Sequence, residues 1–301
     1  PLTGVSSRWR QRTTVSVLGA QRMDRRRFKF RSSLVSALIS ALSLISAFFM
    51  VSALGCDKGS APEGMVLIPA GEFTMGSNKT DTEGKGNEFG SVKPWYLDEH
   101  PERRIRLKAN YVDKFEVTNV EYKKFVDATN SRPPEHWRDG NPPDGKGTFP
   151  VTYANWYEAD RYCRWAGKRL PTESEWEKAA RGPNGMEYPW GDQFDGKKAN
   201  TGDSGFGDIA PVGSFPDGMS VYGVYDMSGN AWEWVDDWYK PYPGSDYKSD
   251  KFGEKNKVLR GGSWGGGVHY SIPLFYRGAY RFYTTPERGF PDAGFRCVKD
   301  K

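Results

Sequence analysis

Ser32–Gly55 runs for 24 residues without a charged side chain, and Cys56 follows it directly. So long an uncharged stretch reads as a targeting segment and divides the chain into a leader, 1–55, and a body. Met23-Asp24-Arg25-Arg26-Arg27-Phe28-Lys29 puts basic residues before the apolar run, and small residues close it, the order of a secretory signal peptide. Met23 is the expected start, because Pro1–Arg22 is polar, aperiodic and does not open with Met. Ala53-Leu54-Gly55-Cys56 resembles a relaxed lipoprotein box, which predicts cleavage, acylation of Cys56 and a lipid anchor in the membrane. The rival reading is an uncleaved anchor, since 24 apolar residues can span a bilayer. Both readings place the body outside the cytoplasm, on the periplasmic or surface side of a bacterial envelope. Arg25-Arg26-Arg27-Phe28 also fits the twin-arginine export pattern R-R-x-F.

Charge follows the same division. The formal +5 comes from 43 basic and 38 acidic residues, but nine of the basic ones and only Asp24 of the acids lie in 1–55, leaving the body at −3. A general electrostatic grip on nucleic acid is therefore excluded. With 11 Trp, 16 Tyr and 17 Phe the chain has ample material for a core, which argues against disorder. Residues 56–63 read as a polar linker, and 64–301 as a single domain.

Gly, Pro and Asn punctuate that domain, and no repeat appears. Three short helices are expected. Thr118–Glu121 forms a capping box ahead of Tyr122, Phe125, Val126 and Thr129. Asn155 with Glu158 caps a second helix that ends at Gly167, and Thr172–Glu175 opens a third that ends at Gly182. Expected strands are Met65–Ile68, Glu72–Met75, Arg104–Lys108, Lys257–Leu259 and Gly294–Val298. The remainder reads as long loops, which need ties such as a disulfide, buried Trp anchors or bound cations. The class is α+β with little regular secondary structure. Cys163 and Cys297, alone in the body after Cys56, are most simply a disulfide in an oxidising compartment, two buried free thiols being the alternative.

Several segments, in order, carry a resemblance. They are GMVLIPAGEFTMG at 64–76, Glu99-His100-Pro101, Glu116-Val117-Thr118-Asn119 and GKRLPTESEWE at 167–177. Tyr188–Asp192, Pro211–Phe215, DMSGNAWEW at 226–234, Arg260-Gly261-Gly262-Ser263-Trp264 and Gly294-Phe295-Arg296-Cys297 follow. Together they resemble the sulfatase-modifying-factor family, whose founding member is the formylglycine-generating enzyme. The resemblance implies a formylglycine-generating-enzyme-like fold related to C-type lectins, and it matches Cys163 and Cys297 to a family disulfide. It also implies structural calcium, held by the side chains of Asp226 and Glu233 and the carbonyls of Gly229 and Ala231. Carboxylates in so aromatic a run need a partner if buried, and a salt bridge to an Arg such as Arg169 is the other reading of Glu233. A second calcium loop falls at Asn200, Thr201, Asp203 and Phe206, where the segment is short and Ser204 replaces an expected Asp.

The family's oxidation uses two cysteines, bound to copper(I), shortly after the Gly-Gly-Ser segment. Ser263–Tyr276 contains none, so formylglycine generation is not expected of this chain. Arg260, Ser263, His269, Tyr270, Arg277 and Arg281 remain as pocket candidates, while His100 reads as structural. Two functions stay open: an envelope module that binds a protein or glycan, with Trp234–Tyr247 offering aromatic contacts, and an oxidoreductase with a different redox metal that the sequence does not identify.

Overall fold

The computed structural model describes residues 60–88, 91, 93–265 and 272–301. The leader, Cys56, residues 57–59 of the linker, and His269 and Tyr270 lie outside the described residues. Ser60–Lys301 separates as its own unit.

Its first strands are β1 (Met65–Ile68), β2 (Gly71–Met75), β3 (Arg103–Leu107) and β4 (Asn110–Asp113). Then come α1 (Asn119–Thr129), α2 (Trp156–Trp165) and α3 (Glu173–Arg181). The closing strands are β5 (Trp232–Trp238), β6 (Lys257–Arg260), β7 (Phe282–Thr284), β8 (Ala293–Phe295) and β9 (Val298–Asp300). They make three small sheets, ordered β1-β4-β9, β2-β3 and β7-β6-β5-β8. All pairings are antiparallel except β5 with β8.

The helices start where the sequence puts them because their signals are local. Each has both halves of a capping box: Thr118 with Glu121, Asn155 with Glu158, and Thr172 with Glu175. Those bonds satisfy amide groups that a helix N-terminus leaves orphaned. Strands depend on distant partners and were harder to read. The expected Gly294–Val298 strand is two strands, β8 pairing with β5 and β9 with β4, divided at Arg296-Cys297. Glu233 of the expected calcium set and the start of the aromatic run Trp234–Tyr247 fall in the central strand β5. Of the aromatics in 234–247, Trp234, Tyr239 and Tyr242 are buried in the core, whereas Trp238 and Tyr247 are half-buried.

One core joins α1 and α2 to β5 and β8 through Tyr122, Phe125, Tyr162, Trp234 and Phe295; a second joins α3 to β5 and β6 through Trp176, Ala180, Val235 and Val258. Cys163 and Cys297 form the disulfide inside the first, with Cα atoms 5.7 Å apart. The loops are tied by Trp side chains donating to backbone, Trp234 Nε1 to the Ala154 carbonyl at 3.0 Å and Trp156 Nε1 to that of Val235 at 2.8 Å. The stronger tie is ionic. Glu177 accepts from Arg260 Nη2 (2.6 Å), Arg181 Nη1 (2.5 Å) and the Gly76 amide (2.7 Å), and Glu173 accepts from Arg281 Nε (2.7 Å) and Arg260 Nη1 (3.2 Å).

Candidate functional site

That network corrects part of the sequence reading. Arg260 and Arg281, expected as pocket residues, are both buried against Glu173, and Arg260 against Glu177 as well. Arg277 is buried too, with Nη1 on Glu99 (2.8 Å) and Nε on Glu187 (2.6 Å). A guanidinium in the interior must be matched by carboxylates, and these three are. Sequence alone showed the cations but not the distant Glu99, Glu173 and Glu177 that claim them.

Ser263 keeps a polar role. Its hydroxyl donates to Asp292 Oδ2 at 2.9 Å, and the Trp232 amide donates to the Asp292 carbonyl at 2.8 Å. Pro291, next to Asp292, borders a cavity of about 270 Å³ shared with Asn119, His136, Lys146, Tyr153 and Asp208. Tyr153 has φ +61°, a conformation that costs a bulky residue roughly 1–3 kcal/mol. Its amide donates to the Phe290 carbonyl at 2.9 Å. Gly289 packs so closely that a Cβ there would lie 1.9 Å from the Tyr153 carbonyl oxygen. This clamp sets the Tyr153 ring 4.6 Å from His136, whose pKa burial pushes down. Tyr153 also walls a second cavity, of about 200 Å³, with Arg132, Glu135, Glu158 and Arg288. Across the larger one Lys146 Nζ sits 3.2 Å from Asp208 Oδ2 and over the Phe149 ring. The arrangement offers an aromatic face flanked by hydrogen-bonding and charged groups. Sequence reasoning missed this cleft; the Gly-Phe-Pro-Asp segment at 289–292 was its only local signal.

The expected calcium ligands separate into two cases. Glu233 is fully committed, accepting from Arg296 Nη2 (2.6 Å), Arg296 Nε (2.7 Å) and Trp176 Nε1 (2.8 Å). The salt-bridge reading is the right one for it, although the partner is Arg296, and Arg169 pairs instead with Glu175 and Asp300. Asp226 is buried and accepts from the Gly213 amide at 2.7 Å. Gly229 and Ala231 lie in the buried turn between Asp226 and β5, Gly229 with φ +79° and its amide on the Gly261 carbonyl. Glu116, which the sequence reading quoted only within the segment Glu116–Asn119, is buried as well. Burial first, and then the Asp226 charge, push the Glu116 pKa well above the usual carboxylate range.

In the second expected calcium set the side-chain oxygens of Asn200 and Thr201 carry hydrogen bonds from within the chain. Asn200 Oδ1 accepts from the Ser204 hydroxyl at 2.9 Å, while Asn200 Nδ2 donates to Asn230 Oδ1 and the Asp208 carbonyl. Thr201 Oγ1 accepts from the Asp203 amide, and Phe206 is half exposed at 52%. The hydroxyl in place of a carboxylate satisfies the Asn200 oxygen directly. Among the described residues no group of three or more His, Cys, Asp and Glu is placed to hold a metal.

Comparisons with known proteins agree with the fold. The model of the sulfatase-modifying factor enzyme 1-like domain matches residues 53–301. The formylglycine-generating enzyme of Bos taurus is 33% identical over 303 residues, covering 81% of this chain and 76% of that protein. The inactive C-alpha-formylglycine-generating enzyme 2 of Mus musculus is 30% identical over 312 residues, covering 85% of this chain and 93% of that one. Among solved structures, PvdO from Pseudomonas aeruginosa superposes with a TM-score of 0.59 at 28% identity, covering 79% of this chain and 94% of the other. On the matched length, the relatives and the shared fold, the chain belongs to the sulfatase-modifying factor family.

Proposed function

We propose that this protein is a binding or accessory module of the cell envelope, tethered by a lipid on Cys56, that does not make formylglycine. The observation that carries the reading is that Ser263–Tyr276 holds no cysteine, while a cleft lined by His136, Lys146, Tyr153 and Asp208 lies by Pro291, next to the Asp292 that accepts from Ser263. Copper(I) takes soft thiolate ligands, and the other body cysteines are joined to each other. The similarity to a relative whose name calls it inactive supports a non-catalytic member. The cleft on either side of Tyr153 suits an extended protein segment or glycan, because an aromatic face with polar neighbours binds partly apolar ligands and orients them.

Incubation with copper, oxygen and a sulfatase-type cysteine peptide is expected to leave the peptide mass unchanged; conversion to the aldehyde overturns the reading. The same preparation applied to peptide and glycan arrays identifies the ligand class, and retention that survives Tyr153→Ala places the ligand elsewhere. For the tether, Cys56→Ser is expected to release the protein from the membrane fraction or block its processing. Undiminished membrane residence supports an uncleaved anchor instead.

A further inference from the structure

Two buried polar atoms on one cavity lack a partner. Asn119, the first residue of α1, is only 3% exposed. Its backbone amide donates to the Phe149 carbonyl at 2.9 Å, and its Nδ2 to the Lys146 carbonyl at 2.9 Å. The second bond fixes which way the carboxamide points and leaves Oδ1 as an acceptor. That oxygen is buried with no donor among the described residues, and the buried Nδ1 of His136 has no partner among them either. Both residues line the cavity of about 270 Å³ walled by Tyr153. Folded interiors pair nearly all such atoms, so two orphans on one cavity call for a molecule that supplies the missing bonds.

The rest of the lining narrows the chemistry. Pro143, Pro150 and Pro291 border the cavity, and proline has no N–H with which to add a peptide strand. The charges of the lining are already matched: Lys146 Nζ lies 3.2 Å from Asp208 Oδ2, and burial lowers the His136 pKa toward the neutral ring. No net charge is left to draw an ionic ligand. A sugar ring suits what remains. Each hydroxyl is donor and acceptor at once, so it answers Asn119 Oδ1, and His136 Nδ1 in either tautomer, while the C–H face of the ring lies on the Tyr153 aromatic ring.

We propose that the cavity bounded by Asn119, His136 and Tyr153 is a subsite for one residue of a neutral saccharide. This rests on the binding-module reading and selects the glycan from its two ligand classes.

The test applies the full chain to an array of neutral, acidic and basic oligosaccharides, then titrates it calorimetrically with the methyl glycoside of the sugar retained. Saturable retention of a neutral saccharide is expected. Tyr153→Asn removes the ring at φ +61°, a backbone conformation that Asn tolerates better than Tyr, so the variant is expected to stay folded and lose retention. His136→Phe keeps a ring against Tyr153 and removes Nδ1. It should weaken binding roughly three- to tenfold, the scale of one hydrogen bond, at an unchanged melting temperature. Wild-type affinity in both variants overturns the proposal, as does retention confined to charged saccharides. Absence of any retained saccharide overturns it too, and peptides retained instead leave the binding-module reading standing. Conversion of the cysteine peptide to the aldehyde overturns that reading and this proposal with it.

Discussion

Glu177→Ala is expected to destabilise the body by roughly 3–5 kcal/mol, the range for removing one partner of a buried ion pair. Glu177 sits on the inner face of α3, fully buried, and answers both Arg181 and Arg260. Without it Arg260 keeps one carboxylate, Glu173, already shared with Arg281, beside the Gly278 and Ala279 carbonyls, and Arg181 keeps only backbone carbonyls. The Gly76 amide also loses its acceptor. At roughly 2–4 °C per kcal/mol for a domain of this size, the melting temperature should fall by about 6–20 °C. Lys240–Glu254, both exposed, is the control, and Glu254→Ala should stay within about 0.5 kcal/mol. Urea midpoints measure both. Equal shifts for the two variants would mean that the interior network contributes no more than a surface pair.

Removing the disulfide by Cys163→Ser with Cys297→Ser is expected to cost about 2–4 kcal/mol. The bond joins positions 134 apart, for which chain entropy alone allows about 5 kcal/mol. Part of that is offset because the surrounding rings hold α2 against β8 without the bond: Tyr162 lies 5.4 Å from Phe295 and 5.5 Å from Tyr122. Non-reducing peptide maps should contain one linked pair, and reductant should lower the melting temperature. Two thiols alkylated in native protein, or melting unaffected by reductant, would show that the staple is absent or idle.

Legibility in the sequence followed the range of each interaction. All three helices could be placed because a capping box is written in four consecutive residues, as in Thr172–Glu175. Strand β5 could not, since both its edges are paired by β6 and β8, which come later in the chain. Its Trp-Glu-Trp pattern suggested a ligand loop, whereas the glutamate serves Arg296, 63 positions on. The same limit hid Glu116, a buried carboxylate two residues before a helix cap whose partner, Asn230, lies 114 positions away. Arg260, Arg277 and Arg281 were visible as cations, but burial decides whether a cation greets a ligand or holds a core, and burial has no local signature. The disulfide was legible for a different reason: with two candidates left, counting sufficed.

The order in which the sheets close also carries a timetable. Strand β1 opens the body at Met65 and joins β4, whose other edge is covered only by β9 at Val298–Asp300, while β5 awaits β8 at Ala293–Phe295. A ribosome adding roughly 5–20 residues per second therefore makes the helices and their aromatic faces well before the strands that cover them. Until then the nascent chain exposes unpaired edges, and pairings this distant in sequence form slowly. Cys297 arrives with those strands, 134 positions after Cys163, so the disulfide cannot form before they do. The loss of the Cys163 thiol dates the moment when the fold is finished, and an alkylation pulse-chase can read it as a clock.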